Sequence, residues 1–256
     1  MTTAPSASTV QQATVRHASE AIAVPKPAAS ARPAPHEDYS WLSAYRGRFV
    51  VFEGPDGSGK STQFRKLSDA AKAKGVLLCE VREPGGTPVG EKIRETLLAR
   101  VQPGMDMSLR CEMLLYMASR AELVERRIRP ALKAGEMVLA DRYVASTLAY
   151  QGAAGGLSGA DISAVARVAT QNLQPDLIVV FDLDEAAAAM RLSPLLDRME
   201  AKGAAFHRKV RQGYLELAKG DPSRYAVVDA SKDPETVWKS LCSTMSERAG
   251  HLAVKR

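Results

Sequence analysis

Five short apolar runs punctuate the chain: FVVFE at 49–53, VLLCEV at 76–81, MVLAD at 137–141, LIVVFDL at 177–183 and YAVVDA at 225–230. None of them alternates apolar with polar positions. A strand with one wet face must alternate, because successive side chains point to opposite sides; continuous runs predict strands covered on both faces. Turn residues bound each run, and mixed polar and apolar stretches long enough for crossover helices separate them. The pattern predicts an α/β fold, a doubly wound five-stranded parallel sheet with helices on both faces. There is no internal repeat.

Before Arg48 this pattern is absent. Residues 1–46 are rich in Ala, Pro, Ser and Thr, as in APSAST and VPKPAASARPAP, with scattered charges and no apolar period. Such a segment cannot bury enough surface to offset the entropy of ordering it. The sequence therefore predicts a disordered tail over 1–46 and one folded domain over 47–256. A transit peptide is the alternative, since Arg16 and Arg32 sit among serines and alanines; Glu20, Glu37, Asp38 and the prolines argue against it.

Composition narrows the function only slightly. The chain has 256 residues, 45% of them hydrophobic, enough for one large core. Its net charge of +6 suits a phosphate-bearing ligand, but charge alone does not separate a nucleotide from nucleic acid or a membrane surface. Cys79, Cys111 and Cys242 are widely spaced, with no Cys-x-x-Cys pair, and read as core residues in a reducing cytosol. No run approaches the roughly 18–20 apolar residues of a membrane span, so a soluble, cytoplasmic protein is expected.

The chemistry enters between the first run and the next helical stretch. Gly54, Pro55, Asp56, Gly57, Ser58, Gly59, Lys60 and Ser61 fit G-x-x-x-x-G-K-[ST], and Thr62 follows. The glycines let backbone N–H groups converge on phosphates, the helix N-terminus adds its dipole, Lys60 adds a mobile charge and the Ser61 hydroxyl can ligand Mg²⁺. This strand-to-helix placement predicts a nucleoside triphosphate site, with ATP as the ligand.

A phosphate loop does not say what receives the phosphoryl group. Three later stretches bear on that: REPGGTPVGEKIR at 82–94, LLYMASRAELVE at 114–125 and DRYVASTLAYQG at 141–152. Together with EGPDGSGKST and LDRME they resemble, in order, the thymidylate kinase family, over about residues 48–241. Tyr116 and Arg120 are four apart on a predicted helix, so they share a face. Asp141 ends a predicted buried strand beside the phosphate loop, a suitable place for a second Mg²⁺ ligand.

The resemblance implies transfer of the γ-phosphoryl group of ATP to dTMP, with Mg²⁺. It implies that Tyr116 stacks on thymine and Arg120 binds the base edge, that Arg142 and Arg82 grip the dTMP phosphate, and that Asp56 accepts from the 3′-hydroxyl. Tyr150, beside Gln151, would crowd a ribose 2′-hydroxyl, and Thr147 would contact the base. Family members with glycine at the Gly57 position draw their arginine finger from a lid, here residues 190–203; Arg198 is the first candidate and Arg191 the second. A homodimer built from helices around residues 88–170 is also implied. The rival readings are a kinase for another nucleoside monophosphate, or a nucleotide-binding switch without kinase activity; neither a guanine-reading Asn-Lys-x-Asp element nor a basic ladder for nucleic acid is present.

Overall fold

The computed structural model describes residues 38–99, 106–191 and 198–253. Five strands, β1 (Phe49–Glu53), β2 (Leu78–Arg82), β3 (Met137–Asp141), β4 (Leu177–Asp182) and β5 (Tyr225–Asp229), form one parallel sheet in the order β2-β3-β1-β4-β5. They match the five apolar runs. In β1, Phe49 and Val51 enter one core while Val50 and Phe52 enter the other, which is why the run does not alternate.

Helices α1 (Lys60–Ala73) and α9 (Pro234–Ala253) contribute Leu67, Trp238 and Leu241 to the first core. Helices α3 (Leu109–Leu123) and α8 (Ala204–Gly220) contribute Leu123, Val210 and Tyr214 to the second. Between them in sequence lie α2 (Pro88–Leu98), α4 (Arg129–Lys133), α5 (Val144–Thr147), α6 (Gly159–Thr170) and α7 (Glu185–Arg191). α5 runs on through wider turns to Ala154. Among the described residues no helix is long and apolar enough to cross a membrane.

The packed chain starts before residue 47, where composition put its boundary. A short helical turn, Ser40–Tyr45, buries Tyr39, Leu42 and Tyr45 against α9. Tyr45 donates to the Met245 carbonyl (2.7 Å) and Trp238 donates to the Tyr39 hydroxyl (3.1 Å). The physical reason is local: a few aromatic residues gain a complete partner surface on α9 despite their Ala/Pro-rich context. Residues 1–37 of the expected tail, and 192–197 of the expected lid, lie outside the described residues.

Candidate active site

β1 lies between β3 and β4, so the chain order reverses at its C-terminal end, where parallel α/β sheets place their ligands. The loop after β1 is pressed there between β4 and α7. Gly54 has φ 133° and Gly57 φ 78°. A Cβ at Gly54 would lie 2.5 Å from the Phe181 carbonyl oxygen, and one at Gly57 2.5 Å from that of Ala188. Both obstacles are backbone, so neither position accepts a side chain.

Lys60, at the start of α1, turns back under the loop and donates to the carbonyls of Gly54 (3.0 Å) and Pro55 (2.9 Å). Burial and the nearby Arg142 push its ammonium down to about 8, against the pull of Asp56, Asp141 and Glu53. It is a cation whose charge an incoming phosphate would stabilise.

The turn after β3 supplies the facing side. Arg142 has φ 73°, uncommon for a residue bearing a Cβ. Its Nη1 donates to the Gly54 carbonyl (3.1 Å), Ser146 Oγ (3.1 Å) and Tyr214 Oη (3.0 Å); its Nη2 donates to Asp56 Oδ1 (2.6 Å). Tyr150 donates to the other oxygen of Asp56 (2.9 Å). Burial alone would raise the Asp56 pKa, but Arg142, Lys60 and the Tyr150 hydroxyl outweigh it and hold the carboxyl well below the usual range.

Glu53, at the end of β1, lies fully buried beneath this turn. It accepts from the backbone N–H groups of Tyr143 (2.8 Å) and Ser146 (3.2 Å) and from the hydroxyls of Ser146 (2.6 Å) and Tyr214 (3.0 Å). Burial raises its pKa against these bonds and against Arg142.

Two clefts open on this junction. The first is lined by Gly57, Ser58, Lys60, Ser61, Asp141 and Arg191, among others, together with residues 230–234. The second, smaller and with a cavity volume of about 100 Å³, is lined by Glu83, Arg94, Tyr116, Thr147, Tyr150, Gln151 and Met199, among others. Asp56 and Arg142 line both clefts. A group bound at the phosphate loop and a second ligand in the smaller pocket therefore meet at one ion pair.

The family model described as thymidylate kinase matches residues 52–241. Thymidylate kinases of Bifidobacterium longum and Deinococcus radiodurans are each 44% identical to this chain, covering 79% and 80% of it and 99% of their own lengths. That of Symbiobacterium thermophilum is 46% identical over 78% of this chain and 92% of its own length. The chain belongs to the thymidylate kinase family.

Measured against what the thymidylate kinase resemblance implies, Asp56, Tyr116, Arg142, Thr147, Tyr150 and Gln151 all come together in the smaller pocket. Arg120 does not line it. Only 1% exposed, Arg120 is paired with Glu83 (2.6 Å) and donates to Thr147 Oγ1 (3.2 Å) and the Tyr143 carbonyl (2.9 Å), so it supports the wall from behind. Burial raises the Glu83 carboxyl to about 7, with Arg120 opposing. Arg82 is turned to Glu91, which binds it through both oxygens (3.0 and 2.8 Å).

Arg94 lines the pocket, although the sequence reading did not single it out; it closes the REPGGTPVGEKIR stretch on α2, whose N-terminus is capped by Thr87. Glu53 was missed as well. Its signal was a carboxylate ending an otherwise apolar strand.

The two lid arginines part company. Arg191 lines the phosphate-loop cleft, donating to the carbonyl of Ala230 (3.0 Å). Arg198, the first candidate for the finger, is instead paired with Glu112 (2.5 Å) and donates to the Leu97 carbonyl (2.9 Å), because α3 offers it a buried carboxylate. Ser61 and Asp141 share the phosphate-loop cleft, and Asp141 Oδ1 is buried with no hydrogen-bond partner.

Proposed function

We propose that the phosphate-loop cleft binds ATP, that the smaller pocket binds dTMP, and that the γ-phosphoryl group passes between them beside Asp56 and Arg142. The activity is that of a dTMP kinase: ATP and dTMP give ADP and dTDP. The observation that carries the arrangement is that Asp56 and Arg142 line both clefts.

The reaction brings two anions together. At about 4 Å and an effective dielectric of 20, each like-charged pair costs roughly 4 kcal/mol. Lys60, Arg142 and Arg191 supply the opposing charge: Lys60 and the loop amides toward the β and γ phosphates, Arg142 toward the dTMP phosphate, Arg191 toward the transferring group. No general base is required, because the attacking phosphate oxygen is already ionised.

Asp56, held ionised by its cations, accepts from the 3′-hydroxyl. Tyr116 stacks on the base, Thr147 and Gln151 face its edge, Arg120 fixes Thr147, and Tyr150 fills the space a ribose 2′-hydroxyl would need. Arg94, rather than Arg82, is the second arginine of this pocket. An orphaned carboxylate oxygen on Asp141 and the hydroxyl of Ser61 fit Mg²⁺, which when bound would neutralise phosphate charge.

The same reading extends to the whole chain. Residues from about Tyr39 onward act as one catalytic domain, in the reducing cytoplasm to which three free cysteines point, although only Cys79 is buried as expected and Cys111 is exposed. Two copies pair through α3 and α6, where Leu114 (52%) and Val168 (80%) leave large apolar side chains exposed. The direct test follows ADP release from ATP and Mg²⁺ with and without dTMP. Strong stimulation by dTMP is expected; release that ignores dTMP rejects the dTMP kinase reading in favour of a kinase for another nucleoside monophosphate or a nucleotide-binding switch.

A further inference from the structure

Glu112 stands on α3, 1% exposed, behind the acceptor pocket and outside its lining. A guanidinium, an ammonium and an amide from separate parts of the chain surround its carboxylate, the first two as ion pairs and the amide as a hydrogen-bond donor. Gln151 Nε2 lies 2.7 Å from Oε1, Arg198 Nη2 2.5 Å from Oε2, and Lys202 Nζ 3.6 Å from Oε1. Arg198 Nε is bonded in addition to the Leu97 carbonyl (2.9 Å).

All of these contacts but that of Lys202 end at or beside a pocket wall. Gln151 is itself a lining residue, Leu98 follows Leu97, and Met199, 4% exposed, follows Arg198. A surface ion pair would hold nothing in place, but a buried one leaves an uncompensated charge when either partner moves away, so it resists displacement. Glu112 thus ties α2, α3, the turns after α5 and residues 198–202 around one cavity.

We propose that Glu112 is a positioning residue that, through Arg198 and Lys202, seats residues 198–202 with Met199 as a wall of the acceptor pocket, and thereby sets the affinity for the acceptor nucleotide. This rests on the reading of that pocket as the dTMP site. It also gives Arg198 a role other than the finger. Glu112 touches no reacting atom, so its effect belongs in acceptor binding and not in the transfer step.

The test is steady-state kinetics together with equilibrium dTMP binding on the full chain, comparing wild type, Glu112→Gln, Arg198→Gln and the double variant. Glu112→Gln keeps the shape and the contact with Gln151 but removes the charge. It should raise both KM and Kd for dTMP on the order of tenfold, about 1.4 kcal/mol and so a fraction of the cost of breaking a buried pair, with KM for ATP and kcat within about twofold of wild type. Arg198→Gln should raise Kd for dTMP similarly, and the double variant should be no worse than either single one, since all three remove the same interaction.

Unchanged dTMP affinity in Glu112→Gln, additive losses in the double variant, or a fall in kcat at constant dTMP affinity in Arg198→Gln would overturn the proposal. If Glu112→Gln does not fold, Arg198→Gln carries the test alone. A wild type that neither binds nor phosphorylates dTMP rejects the pocket assignment itself; a wild type that does both, with indifferent variants, rejects only the role of Glu112.

Discussion

Arg142 holds φ at 73° although it carries a Cβ, an arrangement that costs on the order of 1–3 kcal/mol. Its guanidinium bonds and the four donors on Glu53 fix the turn in that state, so the cation is aimed before any substrate arrives. Lys60 is prepared differently. Its ordinary pKa of 10.5 is brought to about 8, so the ammonium is complete below that pH and lost as pH rises through it. The kcat/KM for ATP should therefore hold level near pH 7 and decline above about pH 8, whereas Lys60→Arg, always charged, should lose that decline; a pH–rate profile of both proteins decides. Arg191→Ala should lower kcat by about 10³-fold, the lower range for an arginine finger, at little changed dTMP affinity, as single-turnover rates would show. The phosphate-loop residues were legible in the sequence because their spacing is local and their chemistry fixed. Glu53 and Arg94 were not, because a buried carboxylate and a helix arginine look ordinary until the fold shows what they face.

The strands could be read from the chain because both faces of the sheet are covered, which leaves continuous apolar runs. The Ser40–Tyr45 turn could not, since six residues in an Ala/Pro-rich background show no period, yet Tyr39, Leu42 and Tyr45 are buried. Burying such side chains contributes roughly 1.5–3 kcal/mol each as an upper estimate. A chain beginning at residue 47 should accordingly melt well below one beginning at residue 38 in calorimetry. Tyr45→Phe alone should cost about 1 kcal/mol through the lost bond to Met245; equal melting temperatures would mean that the turn does not hold α9. The wider turns from Leu148 to Ala154 were equally invisible, although they carry Tyr150 and Gln151 into the pocket. Residues four apart on a regular helix, such as Tyr116 and Arg120, were expected on one face; the structure separates their roles by depth, with the tyrosine in the pocket wall and the arginine behind it.

At the scale of the molecule, a net charge of +6 left the partner open, and no single element named the acceptor. What identifies it is membership of the thymidylate kinase family; the structure adds that stretches far apart in sequence, 82–94, 114–125 and 141–152, converge on a cleft that shares Asp56 and Arg142 with the phosphate loop. Only the resemblance of their order to thymidylate kinases made that convergence legible beforehand. On the proposed assignment Tyr150 meets the sugar and Tyr116 and Thr147 meet the base, so discrimination should differ in kind between them. A thymine methyl is worth only about 1–3 kcal/mol in an apolar niche, while a ribose hydroxyl must be crowded against a buried ring. The most direct measurement is kcat/KM with ATP and Mg²⁺ for dTMP, dUMP, dCMP, dGMP, UMP and AMP offered in turn. dTMP should lead, dUMP should follow at about 10- to 200-fold lower efficiency, and UMP should be nearly inert. Equal use of UMP and dUMP, or a purine nucleotide ahead of dTMP, would contradict the assignment of Tyr116, Thr147 and Tyr150 to a deoxythymidylate pocket.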